Sequence, residues 1–379
     1  MLYLDSAATT PVRPEVLEAM MPFLTREFGN PSSHHTVGER AADALAQARE
    51  RVAAVFGMRR GDIVFTSGGT EANNLAVKGI AIAAMLARGA RRVITSPIEH
   101  ESVLESARHL ERVHGFAVDL VPVDDVGRID AEALAALVRD DTALVSVGYA
   151  NNEIGTVQDA AALAAVASRA RLPLHLDAVQ AAGWLPLAGT GADAISFAGH
   201  KLGAPKGTGV LAVRGRIPLE PLLHGGGQER GRRSGTQDVA GAVGLAVALE
   251  LAEAERADAA ARVGAIRDEF EQRVHALVPQ ARTTGDPRHR LPGTASFVFP
   301  GTSGEAVLLE LERRGVVSSS GSACAAGSDE PSHVLVALGV DPAVAQSAVR
   351  FTLPRSLTAS LVPVADAVAA AVAAIGSAG

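Results

Sequence analysis

Three polar segments each follow a strand-like apolar run, and their residue types suggest chemistry on a phosphorylated ligand. The first, "VFTSGGTEANN", passes through Ser67-Gly68-Gly69-Thr70 into a predicted helix. Glycines and N–H groups at the start of a helix can hold an anion such as phosphate, although a plain strand-to-helix turn has the same composition. The segment has neither the P-loop lysine nor a G-x-G-x-x-G pattern, which argues against ATP and dinucleotides.

The second and third segments supply an acid and an amine. Asp177 ends the run "LPLHLD", where it could pair with a protonated ring nitrogen or simply cap the next helix. If Lys201, in "SFAGHKLGAPKG", lies in a closed pocket, its amine could form a Schiff base; the alternative is an ordinary solvated lysine. Pyridoxal 5′-phosphate requires a phosphate cup, a ring-nitrogen acid and a lysine, so the three segments together predict that cofactor.

Two further residues could act on a bound ligand. His100 follows the run "RRVITS", where it could stack on a flat ring and move protons, or be an ordinary loop histidine. Arg350 lies within the apolar run "AVRFTLP", and a buried guanidinium needs an anion, either a substrate carboxylate or an internal partner. The glycine-rich and arginine-rich stretch 224–237 predicts a mobile loop that either delivers Thr236 to a phosphate or is a solvated connection.

Cys324 is the only cysteine in the chain, and it lies in the small-residue segment "SSSGSACAAGS". A structural cysteine usually prefers a packed interior, so its position here suggests a reactive thiol, with an incidental loop cysteine as the alternative. One cysteine cannot form an intrachain disulfide, which favours a reducing, cytoplasmic environment. One cysteine is also too little to predict a metal site.

Strand-like and helical segments alternate through most of the chain, which predicts a mostly parallel sheet with helices on both faces. The predicted strands lie in "DIVFTS", "RRVITS", "TALVSVGY", "LPLHLDAV", "DAISFAG" and "GTGVLAVR". From about residue 240 the pattern changes to one long helical stretch, and a smaller α+β unit with a packed terminal helix follows it. We predict a large ligand-binding domain at 14–258 and a small domain made of 1–13 with 259–379.

Composition excludes several classes of function. The formal charge of −7 argues against nucleic acid as a main partner, because phosphate backbones bind basic surfaces. No uncharged apolar run reaches the roughly 18 residues that a membrane span needs, and the start "MLYLDSAATT" does not look like a signal peptide. A hydrophobic content of 47% and a charged content of 20% are those of an ordinary globular chain.

Taken together, these segments resemble the cysteine desulfurases, the NifS/IscS-like enzymes of the class V aminotransferase group that use pyridoxal phosphate. Ordered matches extend over nearly the whole chain, and the S-S-G-S-A-C pattern is typical of the branch that serves iron–sulfur assembly or nitrogenase maturation. The matching segments are "YLDSAATTPVRPEVLEAM", "FGNPSSHH", "FTSGGTEANNLAVKG", "ITSPIEHESVL", "ANNEIGTVQ", "HLDAVQAAG", "SFAGHKLGAPKGTG", "HGGGQERGRRSGT", "SSGSACAAGSDEPSHVL" and "SAVRFTLPR".

The resemblance implies a fold and an activity. The fold would be the fold-type I arrangement of pyridoxal-phosphate enzymes, a homodimer with a seven-stranded-type sheet in the large domain and the cysteine loop in the small one. The reaction would convert L-cysteine to L-alanine, leave a persulfide on Cys324 and pass that sulfur to an acceptor protein. A Ser/Gly/Ala loop would suit a thiol that has to reach two partners, because it gives reach and leaves the sulfur unhindered.

The resemblance also implies roles for individual residues. Lys201 would bind the cofactor as a Schiff base and move the Cα proton. Asp177 would pair with the pyridine nitrogen, and His100 would stack on the ring and assist proton transfer. Cys324 would be the nucleophile. The phosphate would be held by Gly69, Thr70 and His200, with Thr236 from the other subunit. Asn152 and Gln180 would contact the O3′ side of the ring. Asn30 and Arg350 would bind the substrate carboxylate.

The chain departs from the family pattern in three places. Ala198 stands at a cofactor-contacting position where serine or threonine is common, so one phosphate hydrogen bond worth about 1–2 kcal/mol would be missing. The sequence "FTLPR" replaces F-S-L-G-R, and the C-terminus is shorter than in members whose tail docks a scaffold protein.

Three alternative functions remain open. Two are enzymes, a selenocysteine lyase and a plain class V aminotransferase, and the third is a sulfur-carrier protein without catalytic activity.

Overall fold

The computed structural model describes residues 1–320 and 330–376. The main sheet in this part of the chain consists of β2 (Ile63–Thr66), β3 (Arg92–Thr95), β4 (Ala117–Leu120), β5 (Thr142–Gly148), β6 (Leu174–Asp177), β7 (Ala194–Ala198) and β8 (Gly209–Val213). Its seven strands lie in the order β2-β8-β7-β6-β5-β3-β4, and only β8 runs antiparallel to its neighbours. The predicted α/β fold with a mostly parallel sheet is therefore confirmed.

Helices cover both faces of the sheet, because its strands carry apolar side chains on both sides. In β8, Val210 and Ala212 join one hydrophobic cluster while Leu211 and Val213 join another. The helices are α1 (Pro14–Thr25), α2 (Thr36–Phe56), α6 (Ala131–Leu137), α7 (Ala160–Arg169) and α8 (Val239–Ala254) on the first face, and α3 (Gly69–Asn74), α4 (Ile80–Arg88) and α5 (Glu101–His114) on the second.

A second hydrophobic core lies in the C-terminal part of the chain. The elements around it are β1 (Leu2–Tyr3), α9 (Arg256–Leu277), β9 (Arg282–Thr283), β10 (Thr294–Val298), α10 (Gly304–Arg313), β11 (Val316–Val317), β12 (Ala348–Thr352) and α13 (Val362–Gly376). Two short helices, α11 (His333–Ala337) and α12 (Pro342–Ala345), pack instead in a separate cluster with Ile98 and Ile154. Phe270 packs edge-on against Phe351 at 5.1 Å between ring centres. The chain start joins this core, since β1 pairs with β11 and Leu4 is fully buried.

The division into a large domain at 14–258 and a small domain made of 1–13 with 259–379 remains a prediction. The long helical stretch after residue 238 is two helices, α8 and α9, which meet at Glu255. The helix predicted after Gly69 contains a wider turn at Leu75–Gly79, where the N–H of Glu220 donates to the carbonyl of Gly79. None of the helices in residues 1–320 and 330–376 is long and apolar enough to cross a membrane.

The parallel strands bring the chemically interesting residues to one edge of the sheet. Asp177 is the last residue of β6, His100 follows β3 after a short turn, and Lys201 follows β7. Ligands of open α/β sheets bind outside the carboxyl ends of such strands, so this edge is where a functional site is expected.

Candidate active site

A cavity of about 510 Å³ lies at the carboxyl edge of the main sheet. Its size falls within the range of small-molecule and cofactor sites, roughly 300–1,000 Å³. Most of the site residues predicted from the sequence line it, namely Gly69, Thr70, His100, Asn152, Asp177, Gln180, Ala198, His200, Lys201 and Arg350. Segments far apart in the chain therefore contribute to one cavity.

Lys201 lies in a short 3₁₀ turn that begins directly after β7. Its Nζ donates a hydrogen bond to the carbonyl of Ala8 at 2.9 Å and another to the carbonyl of Ala7. Ala7 and Ala8 also line the cavity. The N-terminal segment therefore holds the amine at the cavity wall, where it can meet a ligand.

Asp177 is largely buried, with 9% of its surface exposed. One carboxylate oxygen, Oδ1, accepts from the backbone N–H of Val179 at 2.9 Å. Asp177 therefore caps the turn after β6, and it is not the helix cap that the sequence offered as an alternative, because the segment between β6 and β7 contains no helix. The other oxygen, Oδ2, accepts from Nδ2 of Asn73 at 2.6 Å. Because Asp177 also lines the cavity, the capping contact does not prevent it from facing a ligand.

His100 is the N-cap residue of α5. Its Nδ1 accepts from the backbone N–H of Ser102 at 3.0 Å and lies 2.8 Å from Oγ of the same serine. These two contacts fix the orientation of the ring on the cavity wall, so His100 is not an ordinary loop histidine exposed to solvent.

Arg350, in β12, is 2% exposed, and the structure gives it an internal ion pair. Its Nη2 donates to Oδ1 of Asp5 at 2.8 Å, and its Nη1 donates to the carbonyl of Asn152 at 2.8 Å. The sequence left open whether the anion near this guanidinium would be internal or a substrate carboxylate. The internal one is present, and Arg350 reaches the cavity as well.

The proposed phosphate end of the cavity is narrow. A Cβ atom on Gly69, the first residue of α3, would lie 2.8 Å from Cγ2 of Val179, so only glycine fits there without rearrangement. Nδ1 of His200 lies 3.1 Å from Oγ1 of Thr9. Burial, followed by the charges of Lys201 and Lys206, lowers the pKa of His200 to about 4, so this imidazole is neutral at physiological pH. Ala198 is buried and offers no hydroxyl.

Two predicted site residues, Asn30 and Thr236, do not join this cavity in the described part of the chain. Asn30 is exposed, and its Oδ1 accepts from the N–H of Ser32 at 2.9 Å within a local turn. Thr236 is also exposed. Neither lines the cavity. Cys324 lies outside the described residues.

The loop at 224–237, which carries Thr236, is tied to the main sheet by a buried carboxylate. Glu229 is 5% exposed and accepts from both Nη atoms of Arg49, at 2.6 and 2.7 Å, and from the N–H of Phe65 at 3.1 Å. A second tie joins Arg233 to Glu71 at 2.9 Å. The sequence predicted a mobile loop, but these contacts restrain its middle.

Replacing Glu229 with glutamine is expected to lower the free energy of unfolding by about 3–5 kcal/mol, because Arg49 would keep a largely buried, unpaired charge. Thermal and urea-induced unfolding measure the change. The matched control is Glu250→Gln, which removes an ion pair to Arg51 with side chains 38% and 40% exposed, so it should cost about 1 kcal/mol or less. Equal losses for the two variants would contradict the anchoring role of Glu229.

Sequence reasoning missed several residues of the cavity wall, among them Asn73, Glu99 and Ser102. Glu99 is 4% exposed and accepts from Oγ of Ser96 at 2.5 Å. Burial raises the pKa of Glu99 to about 8, against the lowering effect of the hydrogen bond from Ser96 and with a smaller upward contribution from the charge of Asp177, so the carboxyl is mostly protonated at neutral pH. The sequence signal that could have identified Glu99 is its position directly before His100 and shortly after a buried strand.

Glu99 predicts a distinct pH dependence of stability. Its folded pKa of about 8 lies above the ordinary value of 4.5, so the folded protein keeps a proton that the unfolded chain loses. The free energy of unfolding should therefore fall as the pH rises from about 5 to about 8. In Glu99→Gln this contribution disappears, so the stability difference between the variant and the native protein should grow with pH across that window. Urea unfolding at three pH values measures it, and a constant difference would refute the assignment.

Comparison with protein families gives a match over most of the chain. The aminotransferase class-V family matches residues 2–362. A cysteine desulfurase of Cereibacter sphaeroides is 47% identical over 362 residues, which are 95% of this chain and 92% of that protein. The cysteine desulfurase NifS of Azotobacter vinelandii is 45% identical over 361 residues, 94% of this chain and 89% of that protein.

Solved structures agree with the fold. A NifS-like protein superposes with a TM-score of 0.89 at 37% identity, over 100% of this chain and 98% of its own. DndA from Streptomyces lividans superposes with a TM-score of 0.79 at 38% identity, over 92% of this chain and 99% of its own.

Proposed function

The chain belongs to the class-V aminotransferase family, and we propose that it is a pyridoxal-phosphate-dependent cysteine desulfurase that converts L-cysteine to L-alanine and leaves a persulfide on Cys324. The observation that carries the proposal is the meeting of Lys201, Asp177 and His100 in one cavity, in a chain whose relatives are cysteine desulfurases. The relatives favour this function over a selenocysteine lyase, a plain aminotransferase or a non-catalytic carrier.

The donor set of the cavity fits pyridoxal phosphate. An amine for the aldehyde carbon is present on Lys201, and a buried carboxylate for the ring nitrogen is present on Asp177. When bound, this cofactor withdraws electrons from the amino acid attached to it. We assign the phosphate to Gly69, Thr70 and His200 and the O3′ side to Asn152 and Gln180. Ala198 contributes only packing there, so the phosphate holds one hydrogen bond fewer than a hydroxyl at this position would give.

The protein's own residues would prepare L-cysteine for loss of its sulfur. Arg350 would bind the substrate carboxylate in addition to Asp5, because its guanidinium reaches the cavity from β12. Lys201 would accept the Cα proton and return it, and the carbonyls of Ala7 and Ala8 hold its amine at the cavity wall. Such positioning converts an encounter into an intramolecular transfer, which is a large part of catalysis.

Cys324 would take the sulfur as a thiolate, since the thiolate is the nucleophilic form. A bond forms between its Sγ and the substrate sulfur while the bond between that sulfur and Cβ breaks. Cβ keeps the electron pair of the broken bond and takes up a proton, which gives the methyl group of alanine. The outer sulfur of the persulfide then passes to an acceptor protein, for iron–sulfur clusters or other sulfur-containing cofactors.

We further propose that the enzyme is a homodimer. Helix α1 exposes an apolar face of Leu17, Met21 and Leu24, which are 51%, 46% and 56% exposed, and Phe28 beyond it is 74% exposed. A contiguous patch of this kind typically marks an interface. Thr236, which is exposed and outside the cavity of its own chain, would then complete the phosphate site of the second copy.

Product analysis with the pyridoxal-phosphate-loaded protein tests the function. With L-cysteine and dithiothreitol, alanine and sulfide should appear in equal amounts and without any 2-oxo acid. An aminotransferase would need a 2-oxo acid and release no sulfide, and a selenocysteine lyase would act on selenocysteine but scarcely on cysteine. Either pattern would replace the proposed reaction.

A further inference from the structure

A chain of hydrogen bonds joins the two residues assigned to the cofactor ring. Nδ2 of Asn73 donates to Oδ2 of Asp177 at 2.6 Å and to Oγ of Ser102 at 2.9 Å. Oγ of Ser102 in turn lies 2.8 Å from Nδ1 of His100. Asn73 is 1% exposed and Ser102 is 8% exposed, so both side chains are largely withdrawn from bulk solvent.

The geometry fixes the direction of each hydrogen bond. The amide of Asn73 must present its NH₂ group to Asp177, because the flipped amide would place two acceptor oxygens 2.6 Å apart. The two hydrogens of that NH₂ group then go to Asp177 and to Ser102. Since Ser102 accepts from Asn73, its own hydroxyl hydrogen is available for Nδ1 of His100.

The start of α5 fixes the histidine tautomer. The backbone N–H of Ser102 can only donate, and it points at Nδ1 of His100 at 3.0 Å. Nδ1 is therefore an acceptor without a hydrogen, and the hydrogen of the neutral ring lies on Nε2. The hydroxyl of Ser102 adds a second donor to the same nitrogen.

We propose that Asn73 and Ser102 are positioning residues that couple the ring-nitrogen partner Asp177 to His100, so that the two groups which contact the cofactor ring keep one relative orientation and His100 keeps its Nε2–H tautomer. Oδ1 of Asn73 is buried and has no hydrogen-bond partner among the described residues, so this amide acts through its two donors. The proposal rests on the proposed function, because it assumes that His100 and Asp177 contact pyridoxal phosphate.

Nitrogen-15 NMR of the imidazole nitrogens tests the coupling without using activity. The sample is the pyridoxal-phosphate-loaded protein with labelled histidine, and the His100 signals are those that disappear in His100→Asn. We expect an Nε2–H pattern in the native protein and a shift of the Nδ1 signal in Ser102→Ala, where one of two donors is lost. Ser102→Thr, which keeps the hydroxyl, should restore the native signal.

The decisive variant is Asn73→Ala, because Asn73 does not contact His100 directly. It should shift the Nδ1 signal in the same direction as Ser102→Ala, and the double variant should shift it no further than Ser102→Ala alone. Either single variant should lower kcat about tenfold with little change in KM, again without additivity. An unmoved His100 signal in Asn73→Ala, or additive effects of the two substitutions, would overturn the proposal.

The test also separates this inference from the proposed function. A protein that shows the coupled NMR shifts but forms no alanine from L-cysteine would retain the hydrogen-bonded link and refute the desulfurase. A protein that forms alanine and sulfide normally but shows no coupling would retain the function and refute the link.

Discussion

Lys201→Ala should abolish alanine formation from L-cysteine, with a rate at least about a thousandfold below that of the native enzyme. The substitution removes both the amine that binds the cofactor and the base that moves the Cα proton. The cofactor absorbance of the purified variant should also change, because pyridoxal phosphate would no longer be attached to the chain. Alanine release and absorbance spectra, measured on protein incubated with the cofactor, give the two readouts.

Lys206→Ala is the matched control for this experiment. Lys206 is exposed, lies five residues away and does not line the cavity. Its loss should change the rate less than about twofold, as for a surface substitution. Alanine formation by Lys201→Ala above about a tenth of the native rate would contradict the assignment of Lys201 as the essential amine and base.

Asp177→Asn should lower kcat by about a hundredfold to a thousandfold, the usual loss when a preorganised electrostatic partner is removed. The substitution keeps the side-chain shape but removes the negative charge that faces the proposed ring nitrogen. It also removes the charged acceptor of Asn73, which sits 2.6 Å away. The rate is measured per cofactor-loaded site, so that weaker cofactor binding is not mistaken for slower chemistry.

The matched control is Asp193→Asn. Asp193 is also buried, at 7% exposure, but it lies at the opposite, amino end of β7, where it accepts from the N–H of Leu174 and pairs with Arg216. Its substitution should lower the melting temperature and leave kcat within about threefold of native. Equal losses of kcat in the two variants would mean that Asp177 acts through stability rather than through the cofactor.

The sequence predicted the main sheet well because its strands are continuous apolar runs that end in polar residues. That pattern placed β2, β3, β5, β6, β7 and β8, and it put Asp177 and Lys201 at the ends of β6 and β7. It missed β4 (Ala117–Leu120), a partly exposed edge strand whose apolar run is interrupted by Asp119. It gave no position for the break between α8 and α9, since alanine-rich helical periodicity continues through Glu255.

The second layer of the site could not be predicted from residue types. Asn73 looks like any polar residue in a helix, and its contact with Asp177 joins positions 104 apart in the chain. The pairing of Arg350 with Asp5 joins positions 345 apart. Asn30 was assigned from resemblance alone, and Thr236 from its loop composition together with the resemblance, and a single folded chain does not bring them to the cavity. Such contacts depend on tertiary packing and, for Thr236, on the second subunit of the proposed homodimer.

The central claim is that the sulfur of L-cysteine moves to Cys324. Single-turnover alanine release from L-cysteine, without reductant, by the native protein and by Cys324→Ala tests it most directly. The native protein should release about one alanine per active site and gain the mass of one sulfur atom on Cys324, while the variant should release almost none. Equal alanine release by the two proteins would contradict the claim, because sulfur would then leave L-cysteine without Cys324.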